Sequence, residues 1–219
     1  MNNRLRTLGF AAILAAAGAF AADDVGLINH LAGDVTHTSG KNTAKAKPFM
    51  TVREGDRLHV ASGAQVRVVY FQGGLQESYT GPAGFTIGAR ESFANSGAQP
   101  QLSKLPSGVP QKISQTPDLI QIAKLGRSGG VAVRGGLREQ RLTPQQQAEV
   151  RQARETYEQL RQSAPADDIT AELYLYSVLQ DNLLYNDMKV VVSEMQRRQP
   201  GNADVAVMAE YVRAKAETR

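Results

Sequence analysis

The chain has 219 residues, no cysteine, and 25 basic against 21 acidic residues, giving a formal net charge of +4. Disulfide staples and thiolate metal sites are thereby excluded, and so small a charge does not supply the concentrated basic face of a nucleic-acid binder. The length suits one large domain or two small ones with separate cores.

Arg4 and Arg6 precede an uncharged, alanine-rich stretch from Leu8 to Phe20, and Ala19-Phe20-Ala21 puts small residues where a signal peptidase reads them. Residues 1–21 are therefore expected to be a cleavable secretory signal peptide, with the mature chain starting at Ala22. The apolar run is shorter than the roughly 20 residues a spanning helix needs. A lipid anchor would need a cysteine after the cut. Loss of Arg4 and Arg6 from a net charge of +4 leaves a mature chain near +2. The expected location is the periplasm, with no transmembrane span in the mature chain.

Residues 22–91 are broken into short runs rich in Val, Phe, Tyr and Thr, separated by Gly, Asp, Asn and Ser, the pattern of antiparallel strands joined by turns. Strands are expected near 25–31, 34–38, 48–52, 57–61, 65–71, 75–80 and 84–88. In Gln65-Val66-Arg67-Val68-Val69-Tyr70-Phe71 the period of two puts Val66, Val68 and Tyr70 on one face and Arg67 and Val69 on the other. Gly73-Gly74 then reads as a hairpin connection. Such short strands and frequent turns predict an antiparallel β-sandwich or jelly roll.

Residues 92–115 are a Ser, Gln, Pro and Gly mixture with little apolar periodicity, which reads as a flexible linker. Within 116–141, Thr116-Pro117-Asp118 opens a short helix with Gly126 as its expected stop, and Val131-Ala132-Val133-Arg134 reads as a returning strand. Residues 142–219 are helical. Thr143-Pro144-Gln145-Gln146 forms a capping box, with Val150, Ala153, Tyr157 and Leu160 at helical spacing and Pro165 closing the helix. A second helix from Asp167 or Asp168 to about Leu184 is apolar on most sides and is expected to be buried. A third spans about Asp187 to Gln199, and a fourth follows Pro200-Gly201-Asn202. The fold class is α+β in two segregated parts, sandwich first and helices second.

The glycines of the β part carry a resemblance. Leu31-Ala32-Gly33-Asp34-Val35, Val52-Arg53-Glu54-Gly55-Asp56-Arg57-Leu58, the run Ser62 to Gly74, Pro82-Ala83-Gly84-Phe85 and the later Val131-Ala132-Val133-Arg134-Gly135-Gly136 together resemble the FecR domain of Gram-negative envelope proteins. Gly136 stands where that family usually has threonine. Gly33, Gly55, Gly63 and Gly73 would supply turn dihedrals, and Asp34 and Asp56 would bond turn amides. Leu175, Leu179, Tyr185, Met188, Val192, Met195 and Pro200-Gly201-Asn202 resemble a degenerate tetratricopeptide repeat, although Tyr176 and Met188 replace its usual small residues.

Chemistry-bearing patterns are sparse. Lys124, Arg127, Arg134, Arg138 and Arg141 surround Gly126, Gly129, Gly130, Gly135 and Gly136 in a stretch whose one acid is Glu139. They form a candidate anion-binding loop for lipopolysaccharide or an acidic glycan. His30, His37 and His59 lack the close spacing of metal ligands and read as strand residues. Ser39 and His37 could share a strand face, but Asp34 has the opposite parity, so no nucleophilic triad is formed. Asp23-Asp24 and Asp167-Asp168 read as a mature terminus and a helix cap. No catalytic residue, metal or cofactor is assigned. The expectation is a non-catalytic periplasmic binding or scaffold protein whose partners are envelope proteins. A FecR-type signal transducer, as the resemblance implies, and a glycan-binding module are the alternatives.

Overall fold

A computed structural model describes residues 23–127 and 142–217. The expected signal peptide, the returning strand at Val131 to Arg134, and Arg134, Arg138 and Arg141 lie outside the described residues. Alternating and β-branched residues build ten strands: β1 (Asp24–Ala32), β2 (Val35–Ser39), β3 (Asn42–Lys45), β4 (Thr51–Arg53), β5 (Arg57–Val60), β6 (Gln65–Tyr70), β7 (Leu75–Thr80), β8 (Ala83–Ile87), β9 (Ser92–Gly97) and β10 (Gln101–Lys104). Six helices follow: α1 (Val109–Ile113), α2 (Thr116–Arg127), α3 (Pro144–Ser163), α4 (Thr170–Asp181), α5 (Tyr185–Arg198) and α6 (Ala203–Glu217).

All strand pairings are antiparallel. They make two five-stranded sheets, one ordered β10-β7-β6-β1-β4 and the other β3-β2-β5-β8-β9. The strands of the β part thus precede the helices in a segregated α+β layout. Val66, Val68 and Tyr70 of β6 pack between the sheets with Ile28, Leu58, Tyr79 and Phe85, where the Tyr79 and Phe85 rings stack. Val69, on the opposite parity, belongs with Leu27 and Phe49 to a second core shared with the helices. Strand β6 is therefore buried on both faces, which is why it carries valine at both parities.

The turn glycines behave as expected: Gly33, Gly55, Gly63 and Gly73 all have positive φ. At Gly33 a side chain would also meet Ala64, since an added Cβ would lie 2.9 Å from the Ala64 Cβ. Asp56 accepts the Arg53 amide at 3.0 Å across its turn. Asp34 differs from expectation: its carboxylate takes the Lys45 ammonium at 2.8 Å. The strand expected at 48–52 begins only at Thr51, because Phe49 adopts φ 59 to plug its buried ring into the core shared with the helices.

The segment 92–115 is not a featureless connection. It forms β9, β10 and α1. The side chains of β10 are all exposed, so the strand is held by backbone pairing and leaves no apolar period to read. Leu105, Val109 and Ile113 then anchor the chain in the helical core. Gly126 is the last residue but one of α2 as described. An added Cβ there would fall 2.8 Å from the Tyr211 ring of α6, so the glycine permits a close helix crossing.

The helical half forms as its sequence predicts. Thr143 caps α3 reciprocally with Gln146, at 3.3 and 3.0 Å. Asn202 caps α6 through the amides of Asp204 and Val205. α4 is buried along nearly its whole length, with Tyr176 fully enclosed. Among the described residues, no helix is long and apolar enough to cross a membrane.

Candidate functional site: a polar seam and its groove

Among the described residues, the junction between the first sheet and the helices holds most of the buried polar side chains: Asn29, Arg67, Gln76, Asp168, Thr170 and Glu172. A backbone irregularity gathers them. In β1 the register with β6 shifts between Ile28 and His30, leaving Asn29 unpaired in the ladder. A bulge of this kind inserts one residue and resets the side-chain alternation. Asn29 and His30 consequently both meet the helical half.

Asn29 donates to Thr170 at 2.5 Å and reaches Gln76 at 3.5 Å, and the Thr170 hydroxyl donates to Gln76 at 2.9 Å. Gln76 passes its amide to Asp168 at 2.9 Å, whose other oxygen accepts the Thr170 backbone amide at 2.7 Å. The N-cap of α4 is Ile169, one residue later than the expected acidic cap, and Asp168 instead holds the first helical amide from outside the helix while also reaching the sheet. Arg67 donates to Ser78 at 3.0 Å and lies 3.5 Å from Asp167 and 3.8 Å from Asp168. His30 sits 3.1 Å from Asp167, within ion-pair distance but without hydrogen-bond alignment. Burial, followed in size by the opposing pull of Asp167, leaves the His30 pKa below its ordinary value, with Arg67 lowering it further. Gln199, just after α5, donates to the carbonyls of Asp167 and Asn29.

The turn carrying Asp167 and Asp168 is itself clamped. Glu172, fully buried, takes Arg161 at 3.2 Å and Arg198 at 3.0 Å. These guanidinium groups donate to the carbonyls of Asp168, Pro165 and Ala166. Burial and the Glu172 carboxylate push the Tyr157 hydroxyl pKa up to about 12. A buried charge needs such pairing to be tolerated at all. Glu172 therefore fixes two arginines, the arginines fix the turn, and the turn fixes the acids that reach the sheet.

Beside this seam a groove of about 270 Å³ runs between β10 and the α3–α4 turn, with Gln76, Ser78, Asp168 and Thr170 at its polar side and Leu160 and Pro165 among its apolar residues.

The remaining candidates do not combine into a reactive centre. His37 bonds Asp56 at 2.8 Å. Asp56 is held below its ordinary pKa: burial raises it, but hydrogen bonds from Ser39, His37 and the Arg53 amide outweigh that. Serine and imidazole both turn to the carboxylate and not to each other, which locks a turn and activates no nucleophile. The Ser78 hydroxyl accepts from Arg67 at 3.0 Å. Among the described residues no group of three or more metal-capable side chains is present. Of the five basic residues of the candidate anion loop, Lys124 pairs with Asp204 of α6 at 2.8 Å, and the backbone of Arg127 ends α2. The other three, Arg134, Arg138 and Arg141, lie outside the described residues.

Sequence reasoning separated Arg67 from its valine neighbours and read Asp168 as a cap, but it missed Asn29, Gln76, Thr170 and Gln199. The available signal was polar residues inside otherwise apolar segments, Asn29 between Ile28 and Leu31 above all. Comparison with known proteins returned no matching family model, no matching curated protein and no matching solved structure.

Proposed function

We propose that the protein is a non-catalytic binding or scaffold protein of the bacterial envelope, working in the periplasm after removal of residues 1–21. Its β part is read as FecR-like and its helical part as tetratricopeptide-like. One observation carries this proposal. The buried charges of the seam are spent on one another, Glu172 on two arginines and Asp168 on an amide and a glutamine, in a mutual arrangement suited to fixing two modules in one orientation. Nothing in that pairing leaves an acid and a base poised on a common proton. The positive φ of Gly33, Gly55, Gly63 and Gly73 and the turn lock at Asp56 support the FecR-like part, since they are the positions on which that resemblance rests.

The test is affinity purification of the tagged full chain from crosslinked envelopes, with mass spectrometry of the bait's N-terminus and its partners. A processed Ala22 start with a reproducible envelope partner is the expected result. Turnover of a substrate by the purified protein, abolished by one point mutation, would overturn it. An intact Met1 in the membrane fraction with receptor or sigma-factor partners would replace it with signal transduction.

A further inference from the structure

Four strands end the two sheets: β10 and β4 in one, β3 and β9 in the other. An edge strand offers amides and carbonyls at strand spacing, and the chemical group that satisfies such a row is another extended polypeptide. What distinguishes β10 is its setting. One flank pairs with β7, and the strand runs beside the groove that ends at the α3–α4 turn. Edge and groove together supply what strand addition requires, backbone bonding along the edge and a recess for alternate side chains.

The register says which side chains matter. Ser103 lies opposite Gln76 and Gln101 opposite Ser78, so these two share the groove side of the sheet. Leu102 lies opposite Glu77 on the other side, yet it remains 64% exposed. An added strand would cover Leu102 with one side chain and place its neighbour in the groove. At about 270 Å³ the groove falls just below the roughly 300–1,000 Å³ of ordinary small-molecule sites, and suits one or two side chains better than a cofactor. Asp168, buried in its wall with both oxygens engaged, would repel an acidic group there.

We infer that β10 and the adjoining groove bind an extended polypeptide segment of a partner protein by strand addition, with a neutral side chain seated between Ser103 and Leu160. This deepens the binding-protein reading above and rests on it. The addition is short by construction. β10 has four residues, Pro100 and Pro106 bracket it, and Lys104 guards its end. Prolines and lysine at an edge prevent indiscriminate sheet growth, and the four residues of the strand still allow about 13 Å of pairing at strand rise.

The experiment uses the full chain and a displayed library of linear twelve-residue peptides as probe. Peptides enriched on the wild-type protein should slow amide exchange at residues 101–105, carry no Asp or Glu at the seated position, and bind at least tenfold more weakly to Ser103→Trp, which fills the groove from an exposed position. Ala164→Tyr, from the opposite wall, should weaken them similarly, and unaltered thermal unfolding of either variant shows that folding is intact. The inference is overturned if no peptide is enriched, if enriched peptides protect another element, or if residues 101–105 become protected by self-association without peptide. Envelope partners captured equally by wild-type and Ser103→Trp would remove the groove and leave the scaffold reading standing. Absence of any envelope partner would remove the scaffold reading on its own account.

Discussion

Val68 and Val69 are neighbours in β6, both fully buried, yet they belong to different cores. Val68 meets the second sheet across a mostly apolar interior, where Ile28, Leu58 and Phe85 interdigitate. Val69 meets the helices, and residues on its face share that space with Asn29, Arg67 and Gln76. Apolar contact is strong but non-directional. Hydrogen bonds and ion pairs demand particular angles, so the polar seam sets how the helices sit on the sheet while the sandwich core supplies bulk stability. The sandwich has polar exceptions besides Asp56: Glu77 accepts the Ser92 amide at 3.1 Å, and Tyr79 bonds the Ser92 hydroxyl at 2.6 Å. Burial and the Glu77 charge push the Tyr70 hydroxyl pKa well above its ordinary value.

The sharpest break in the comparison is Phe85→Ala. Removing a fully buried ring from between the sheets should cost about 3–5 kcal/mol. Chemical denaturation should show it as a lower midpoint with an unchanged slope, because the loss is of packing and not of cooperativity.

Glu172→Ala should cost about 3 kcal/mol by a different route, since it takes the acid from Arg161 and leaves Arg198 with Glu194 at 3.5 Å, and the two arginine side chains are only 11% and 14% exposed. Its signature is positional. Amide exchange should rise first around residues 164–172, where Arg161 and Arg198 hold the turn, whereas Phe85→Ala should loosen the sandwich. Equal loosening of both regions by both variants would show that the two cores are one cooperative unit with no division of labour. Asn29→Ala is smaller, about 1–3 kcal/mol, because Thr170 and Gln76 keep a bond to each other when the amide is removed. A double variant with Thr170→Ala should cost less than the sum of the two single changes.

The same contrast explains what was legible in the sequence. Strand parity in β6, the buried character of α4, and the cap at Thr143 follow from local period and local chemistry, and the structure agrees with each. β9 and β10 were hidden because edge strands with solvated side chains carry no period. Phe49 was read as strand because a left-handed φ at a non-glycine residue is imposed by the core it fills, not by its neighbours. The seam was least legible. Asn29 meets Thr170 across 141 positions of chain, and the bulge that turns it there is a property of pairing, not of residue alternation.

The smallest effect sharpens the comparison most, because it asks whether the seam is electrically balanced. His30 faces Asp167, Arg67 and Asp168 and lies beside Gln199, and burial leaves its pKa below the ordinary 6.5. In the window between that lowered value and 6.5 the unfolded chain binds a proton that the folded chain refuses, so stability rises with pH there and falls on acidification. His30→Asn removes this group. Denaturation free energies followed from about pH 7.5 to about pH 5.5, the range in which histidine titrates, should therefore fall more for wild-type than for the variant. Asp56 does not confuse the result, since its pKa lies below 3.8 and its stabilisation is lost only in stronger acid. The opposite outcome, a wild-type protein that gains on the variant as the pH falls, would mean that the Asp167 ion pair outweighs burial. The seam would then tighten on protonation.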